Sequence, residues 1–422
     1  MNDKNNTGLL RTLTLKDAVG VGLGAIIGAG IFVVTGIAAG VSGPAFLIGL
    51  LVAGIIAAFN GLSSAQLAAI YPDSGGTYEY GYKLINPTFG FSAGWMFLIS
   101  KLAAGGVVAI GFGSYFYQLV PIGSPLIHSV IAVLLLTVIN CFGIKKAGLL
   151  NLVIVTVTLF SLLYFVFSGI PKVNADNFKP FAPFGISGIA EATALLFFAF
   201  TGYARIATLA EEVAEPKKTI PKAIIITIIT SILLYTAVSL VAIGVVGAGN
   251  MADSKSPLQM VAKSLTTPAI NTVITIGAST AMLGVLLSQI LGISRMMLAM
   301  GRRHDLPPIF QTIHNRYRVP HLGIVITGLI ILLLTIFGTF EFVVRAATFT
   351  ILLYYSITNI AALKQPRNEQ IYGRVIPICG LIGCLTLSVS LPFKVIISGI
   401  GLLIIGFIVR FIFHKIYDRQ EL

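Results

Sequence analysis

Within an apolar stretch, GVGLGAIIGAGIF, the glycines Gly20, Gly22, Gly24, Gly28 and Gly30 crowd into eleven positions. Glycine in a helix interior costs about 1 kcal/mol relative to alanine, so this density asks for a reason. One reason is close packing, since Gly20, Gly24 and Gly28 repeat every fourth residue as a small-xxx-small ladder. The other is a broken helix. Unpaired N–H groups at the start of a half-helix carry partial positive charge and hold an anion such as a carboxylate. Phe200, Thr201, Gly202 and Tyr203 interrupt a second apolar run in mid-course, where carbonyls freed by a break accept hydrogen bonds. Considered together, the two interruptions favour a site lined by main chain over packing alone.

Lys101 is the most unusual charged residue, because it falls inside an apolar run. A charge near a bilayer centre costs several kcal/mol unless it faces a cavity or a partner. Two roles fit: a proton-carrying amine, or a structural lysine held in an ion pair or by carbonyls. Arg205 stands just past the second interruption, and Glu191 is the acid in the outer half of the same run. Glu211 and Glu212, at its end, face Lys217, Lys218, Lys222 and Arg302 across short loops. They read either as an ion-pair network closing one end of the molecule or as a solvated helix end. Cys141, Cys379 and Cys384 lie in apolar stretches without CxxC spacing, so free thiols and no metal centre are expected. His128, His304, His314, His321 and His414 sit at run ends or in loops; no cluster of titratable groups for a membrane-embedded enzyme is expected among them.

Such residues need a membrane scaffold. Of 422 residues, 56% are hydrophobic and 10% charged, with mean hydropathy +0.95, against about 25% charged in a soluble domain. Twelve apolar spans are expected at about 15–40, 44–70, 90–119, 122–143, 147–170, 187–213, 220–248, 268–300, 320–338, 342–363, 373–392 and 395–414. The longest polar connections, about 171–186, 249–267, 301–319 and 364–372, are too short for a soluble catalytic domain, and no phosphate-binding GxxxxGK[ST] string occurs. Most of the 28 Lys and Arg fall on loops of one side, so both termini, 1–14 and 415–422, are expected in the cytoplasm, with no removable signal peptide. The net charge of +13 does not imply nucleic acid, because no basic soluble face is expected. The surrounding partner is the lipid bilayer of the cell membrane.

Five spans separate the two interruptions, the offset of a five-plus-five inverted repeat. Four strings then carry a family resemblance over nearly the whole chain: GAIIGAGIF (24–32), YPDSGGTYEYG (71–81), FAFTGYARIATLAEEVAEPKKTIPKAI (198–224) and GISRMMLAMGRRHDLPPIF (292–310). In order and spacing they resemble the amino acid–polyamine–organocation (APC) transporters. The resemblance implies an all-α integral membrane protein with twelve transmembrane helices and the LeuT-type repeat. Helices one to five would occupy 15–170, six to ten 187–363, and two additional C-terminal helices 373–414, peripheral or available for homodimer contacts.

The resemblance also implies roles. Main chain at Ile27, Gly28, Ala29, Gly30 and Ile31 would receive the carboxylate of a small-molecule amino acid. Carbonyls around Phe200, Thr201 and Gly202 would accept its ammonium, and the Phe200 or Tyr203 ring would close over it. Pro72, Gly75, Gly76 and Tyr78 read as a structured turn between the second and third helices. No organic cofactor is implied; a coupling ion would be H⁺ or Na⁺, and sodium-independent exchange stays open. Proton-coupled members offer a lysine in the fifth helix, and Thr158 stands there instead, which leaves Lys101 as the substitute amine. A sodium site of this fold would use carbonyls of Gly24 and Ile27 with the hydroxyls of Ser279 and Thr280, oxygen ligands suited to a hard cation. The position before Arg205, often acidic in members taking cationic substrates, is Ala204. A neutral amino acid is therefore the expected substrate. A cationic amino acid or polyamine carrier of the same fold, or a receptor without flux, is the alternative.

Overall fold

The computed structural model describes residues 13–71, 75–142, 147–208, 213–252 and 254–417. The expected inner-gate pair Glu211 and Glu212, along with Pro72, lies outside the described residues. Seventeen α-helices follow in chain order: α1 (Leu15–Ile26), α2 (Thr35–Ser42), α3 (Phe46–Ile70), α4 (Thr77–Leu84), α5 (Pro87–Phe116), α6 (Pro125–Phe142), α7 (Ala147–Gly169), α8 (Gly185–Phe200), α9 (Ala204–Thr208), α10 (Pro216–Val246), α11 (Ala248–Ala252), α12 (Pro257–Lys263), α13 (Ile270–Arg302), α14 (His321–Phe337), α15 (Phe340–Lys364), α16 (Val375–Val389) and α17 (Phe393–Tyr417). Among the described residues, β-structure is limited to one isolated bridge between Leu13 and Val213.

Local chemistry sets the helix starts. Thr14 and Asp17 form a capping box on α1, the Thr14 hydroxyl accepting from Asp17 N–H while Thr14 N–H donates to the Asp17 carboxylate at 2.9 Å. Asn86 caps α5, accepting from Phe89 N–H at 3.0 Å, and Pro87 fills the first helical position, where an N–H would be unpaired anyway. The polar connection expected over 249–267 is not plain loop: α11 and α12 occupy most of it, their buried Met251, Leu258 and Val261 facing the core.

Nine segments among the described residues are long and apolar enough to cross a membrane, one being Leu15–Ile70 with 56 residues; α14 and α16 are shorter apolar helices of 17 and 15 residues. The helix ends agree with most of the expected spans to within a few residues. Bare isoleucine and leucine faces turn outward on α6 (Leu134, Leu135, Val138) and α17 (Ile397, Ile400, Ile404, Ile408), as lipid-facing helices require. α5 lies at the centre, packed against α4, α6, α13 and α15, while α3 packs against α8, α10 and α16. α17 is pinned to α5 by Trp95, whose Nε1 donates to Leu402 O at 2.8 Å.

Candidate functional site

Both expected interruptions are present. α1 ends at Ile26; the next residue, Ile27, is extended (φ −78°, ψ 102°), and its N–H donates to Leu23 O at 2.8 Å. The chain then turns through Gly28 and Ala29 into a π-helical turn, Gly30–Val34, before α2. The first N–H groups of that second half-helix lack a partner within it. α8 stops at Phe200, a 3-10 turn spans Thr201–Tyr203, and α9 resumes at Ala204.

The two interruptions cross in contact. A β-carbon on Gly202 would stand 2.3 Å from the Ala25 carbonyl, and one on Gly30 would stand 2.6 Å from the Ala199 Cα. Neither backbone can yield, so glycine is required at both positions by the approach of main chain to main chain. Gly28 is looser, since its β-carbon would meet only the Val285 side chain at 2.9 Å. The packing ladder expected of Gly20, Gly24 and Gly28 is not formed as such, since a β-carbon on Gly20 would meet nothing within 4 Å, and packing and break fall to different glycines of the run. Gly22 and Gly24 are packing glycines against Thr227 and Asn151, whereas Gly28 and Gly30 belong to the break.

Tyrosines collect the carbonyls that the breaks release. Tyr235 OH donates to Ile26 O at 2.9 Å, Tyr115 OH to Phe32 O at 2.6 Å and Tyr355 OH to Thr201 O at 3.1 Å. Sequence reasoning missed all three, and nothing local marks them, because each comes from a helix remote in the chain. One carbonyl expected to receive an ammonium, that of Thr201, thus already accepts a phenol and keeps one lone pair.

Beside the crossing lies a space walled by Ala25, Phe97, Lys101, Thr201, Gly202, Ala204, Arg205, Val285, Ser288, Gln289, Gly292 and Ile293. A second space reaches Gly28, Ala29, Gly30 and Phe198 and shares Ala25, Lys101, Thr201, Gly202, Val285 and Gln289 with the first. The structure thus brings Gly28, Ala29, Gly30, Thr201, Gly202, Lys101 and Arg205 to one place. It sets Ile27, Ile31, Phe200 and Tyr203 behind the walls. Phe200 is fully buried against Tyr235, with ring centroids 5.4 Å apart, and Tyr203 against Tyr355 at 5.3 Å. Phe97 and Phe198 are the rings that face the space. Gln289 was missed by sequence reasoning, since a glutamine in a helix carries no local signal.

The ion candidates divide. Thr158 is buried and donates to Ile154 O at 2.8 Å, one turn back, with Gly277 O at 3.5 Å. Thr280 bonds its own helix, donating to Ile276 O at 2.9 Å and Gly277 O at 3.1 Å. Ser279 Oγ is buried without a hydrogen-bond partner. Gly24 is pressed against Asn151, whose Nδ2 donates to Gly20 O at 3.1 Å.

A second polar centre sits where α4, the end of α13 and α17 meet. Asp305 is fully buried; Tyr78 OH donates to its Oδ2 at 2.8 Å, Tyr82 OH donates to the same oxygen, and Arg410 Nε lies 3.0 Å from Oδ1. Glu79 takes a two-pronged pair from Arg303, with Nε 3.2 Å from Oε1 and Nη2 2.6 Å from Oε2. Burial and the Asp305 charge push the Tyr78 and Tyr82 phenols up, so both stay protonated donors. The Glu79 hydrogen bond holds the Arg303 guanidinium above its usual range. At the opposite end of the bundle Arg345 pairs with Glu191 at 2.7 Å and Glu341 at 2.8 Å. Contrary to the expectation that the histidines stay apart, His314 and His321 stack at 4.2 Å with Tyr317 beside them, because the loop before α14 folds back on that helix's first turn.

An amino acid permease family model matches residues 13–417. An uncharacterized transporter of Mycobacterium tuberculosis is 38% identical over 402 residues, covering 94% of this chain and 90% of that protein. The methylthioribose transporter of Bacillus subtilis is 30% identical, covering 96% and 94%, and the branched-chain amino acid permease BcaP of the same organism is 28% identical, covering 97% and 94%. Every helix described above lies within residues 13–417, and the chain belongs to the amino acid permease family, multi-pass membrane transporters of the APC superfamily.

Proposed function

We propose that this permease is a secondary transporter that carries a neutral amino acid across the plasma membrane by alternating access. The crossing of two interrupted helices beside a space that they share with Lys101 and Gln289 carries this reading. Amides of Gly28, Ala29 and Gly30 are assigned the α-carboxylate, and the carbonyls of Phe200, Thr201 and Gly202 the ammonium. Among the described residues no Asp or Glu lines either space, which disfavours a cationic amino acid or polyamine. The branched-chain amino acid in the name of one relative is in keeping with this reading.

Twelve crossings are proposed: Leu15–Ile70 as two, the eight other long segments, and the shorter α14 and α16. The core is the five-plus-five repeat over 15–170 and 187–363, with the end of the bundle that holds Asp305 facing the cytoplasm. Coupling is proposed to run through Lys101 as a proton carrier. The sodium alternative uses Gly24, Ile27, Ser279 and Thr280, of which Ser279 has the uncommitted oxygen.

Uptake of a radiolabelled amino acid panel into proteoliposomes tests the reading, with proton gradient, sodium gradient and internal unlabelled amino acid applied separately. Accumulation of one neutral class under a gradient is expected. Binding without flux under any condition overturns transport in favour of a receptor.

A further inference from the structure

α5 and α13 run antiparallel along the cavity, with Gly94 facing Met300, Gly105 facing Gln289 and Gly111 facing Met282. This register orders the two spaces along the bundle. Gly28–Gly30 and Val108 border only the second space, whereas Phe97, Gly292 and Ile293 border only the first, which lies nearer the Asp305 end. Lys101 borders both, midway along α5 and about 21 Å from either end at 1.5 Å per residue. Among the described residues its ammonium has no hydrogen bond and no salt bridge, and Nζ stands 5.9 Å from the Phe97 ring centroid, on the side of the first space. Lys101 is only partly buried, and its Nζ, unlike Ser279 Oγ, is not enclosed.

An amino acid in the first space is out of reach of the amides at Gly28–Gly30, so its carboxylate needs another partner there. Lys101 offers one. A hydroxyl or amide oxygen accepts from an ammonium but leaves its charge standing, and a charge at mid-bilayer costs several kcal/mol without a partner; an anion removes that cost. Resting on the assignment of this cavity to an amino acid, we infer that Lys101 gives the substrate a second station, where the α-carboxylate pairs with the ammonium after leaving Gly28–Gly30 toward the Asp305 end. Thr201 and Gly202 border both spaces, so the substrate ammonium stays at their carbonyls while the carboxylate swings from one station to the other. Lys101 is then a substrate ligand on the way out of the crossing, in addition to the coupling role proposed for it.

The test reads Lys101 directly in the purified full chain. Cyanate carbamoylates accessible lysines, and peptide mass spectrometry follows the reaction at Lys101 in the presence of alanine, serine and leucine, of their carboxamides, which lack the carboxylate, or of chloride. The amino acids should slow the reaction about tenfold at ten times the half-saturating concentration, and the carboxamides and chloride should leave it within about twofold. In proteoliposomes, exchange of labelled for unlabelled amino acid should fall about tenfold in Lys101→Gln, the loss of one charge-assisted pair. Exchange should return to within about threefold of parental in Lys101→Arg, which keeps the charge, with matching size-exclusion profiles. Amino acids that bind without protecting Lys101, protection by chloride or the carboxamides, or a Lys101 that does not react without ligand each overturns the inference and leaves the transporter reading intact. So does exchange unmoved in Lys101→Gln, or lost equally in Lys101→Arg. Failure of every amino acid to bind overturns the assignment of the cavity itself, and the inference with it.

Discussion

The cavity at the helix crossing and the charged cluster around Asp305 both bury polar groups, and they treat them in opposite ways. Around Asp305, two phenols and a guanidinium converge on one carboxylate, and Arg303 closes on Glu79 beside it. Beside the crossing, Lys101 shares the walls of its space with Arg205 and Gln289 and, among the described residues, with no carboxylate. A buried charge is tolerable when its partners surround it, so the first region is a fastening between α4, α13 and α17. The second is the space to which the proposed function assigns the amino acid. The difference separates structure from site more cleanly than burial does, since both regions are buried.

That contrast is breakable at several strengths. Gly202→Val should have the largest effect, because its β-carbon falls 2.3 Å from the Ala25 main chain and the two half-helices cannot cross; uptake should drop to background and the monodisperse peak on size exclusion should shrink. Asp305→Ala should cost about 3–5 kcal/mol, leaving Arg410 and two phenols without their acceptor in a buried setting. Its melting temperature should fall steeply while substrate affinity of the surviving folded protein stays near parental. Retained stability would mean that the cluster is no fastening.

Lys101→Ala should act the other way round, with little change in melting and a flattened pH profile of uptake. The other titratable group among the lining residues of its space is Arg205, which stays protonated across the usable range. A parental pH profile would return Lys101 to a structural role. Smallest of all is Thr280→Ala, whose hydroxyl bonds only its own helix; uptake within about twofold of parental is expected, and a sodium-dependent loss larger than that of Ser279→Ala would revive the oxygen site.

Much of the fold was legible because its determinants are local. Apolar runs of bilayer length, capping residues such as Thr14 and Asn86, and glycine-dense interruptions all act within a few residues of themselves, and the helices and both breaks appear where those signals lie. For the same reason Gly28, Ala29, Gly30, Thr201 and Gly202, picked out at the two interruptions, come to line one space. The two rings expected to close over a substrate line neither space. An aromatic beside a break can turn to the cavity or away from it, and Phe200 and Tyr203 turn away because Tyr235 and Tyr355 receive them.

The remaining features come from residues far apart in the chain. Tyr355 caps Thr201 across 154 positions, and Tyr78 reaches Asp305 across 227; no local pattern announces either partner. Gln289 is an ordinary helix residue until the packing of α13 against α5 sets its carbonyl oxygen beside Gly105 and leaves it unpaired. Backbone propensity and the apolar period act over single turns of chain, so they mark where helices start, stop and fail. Which polar groups end satisfied and which stay open is a property of helices brought together in space, and only the packed bundle decides it.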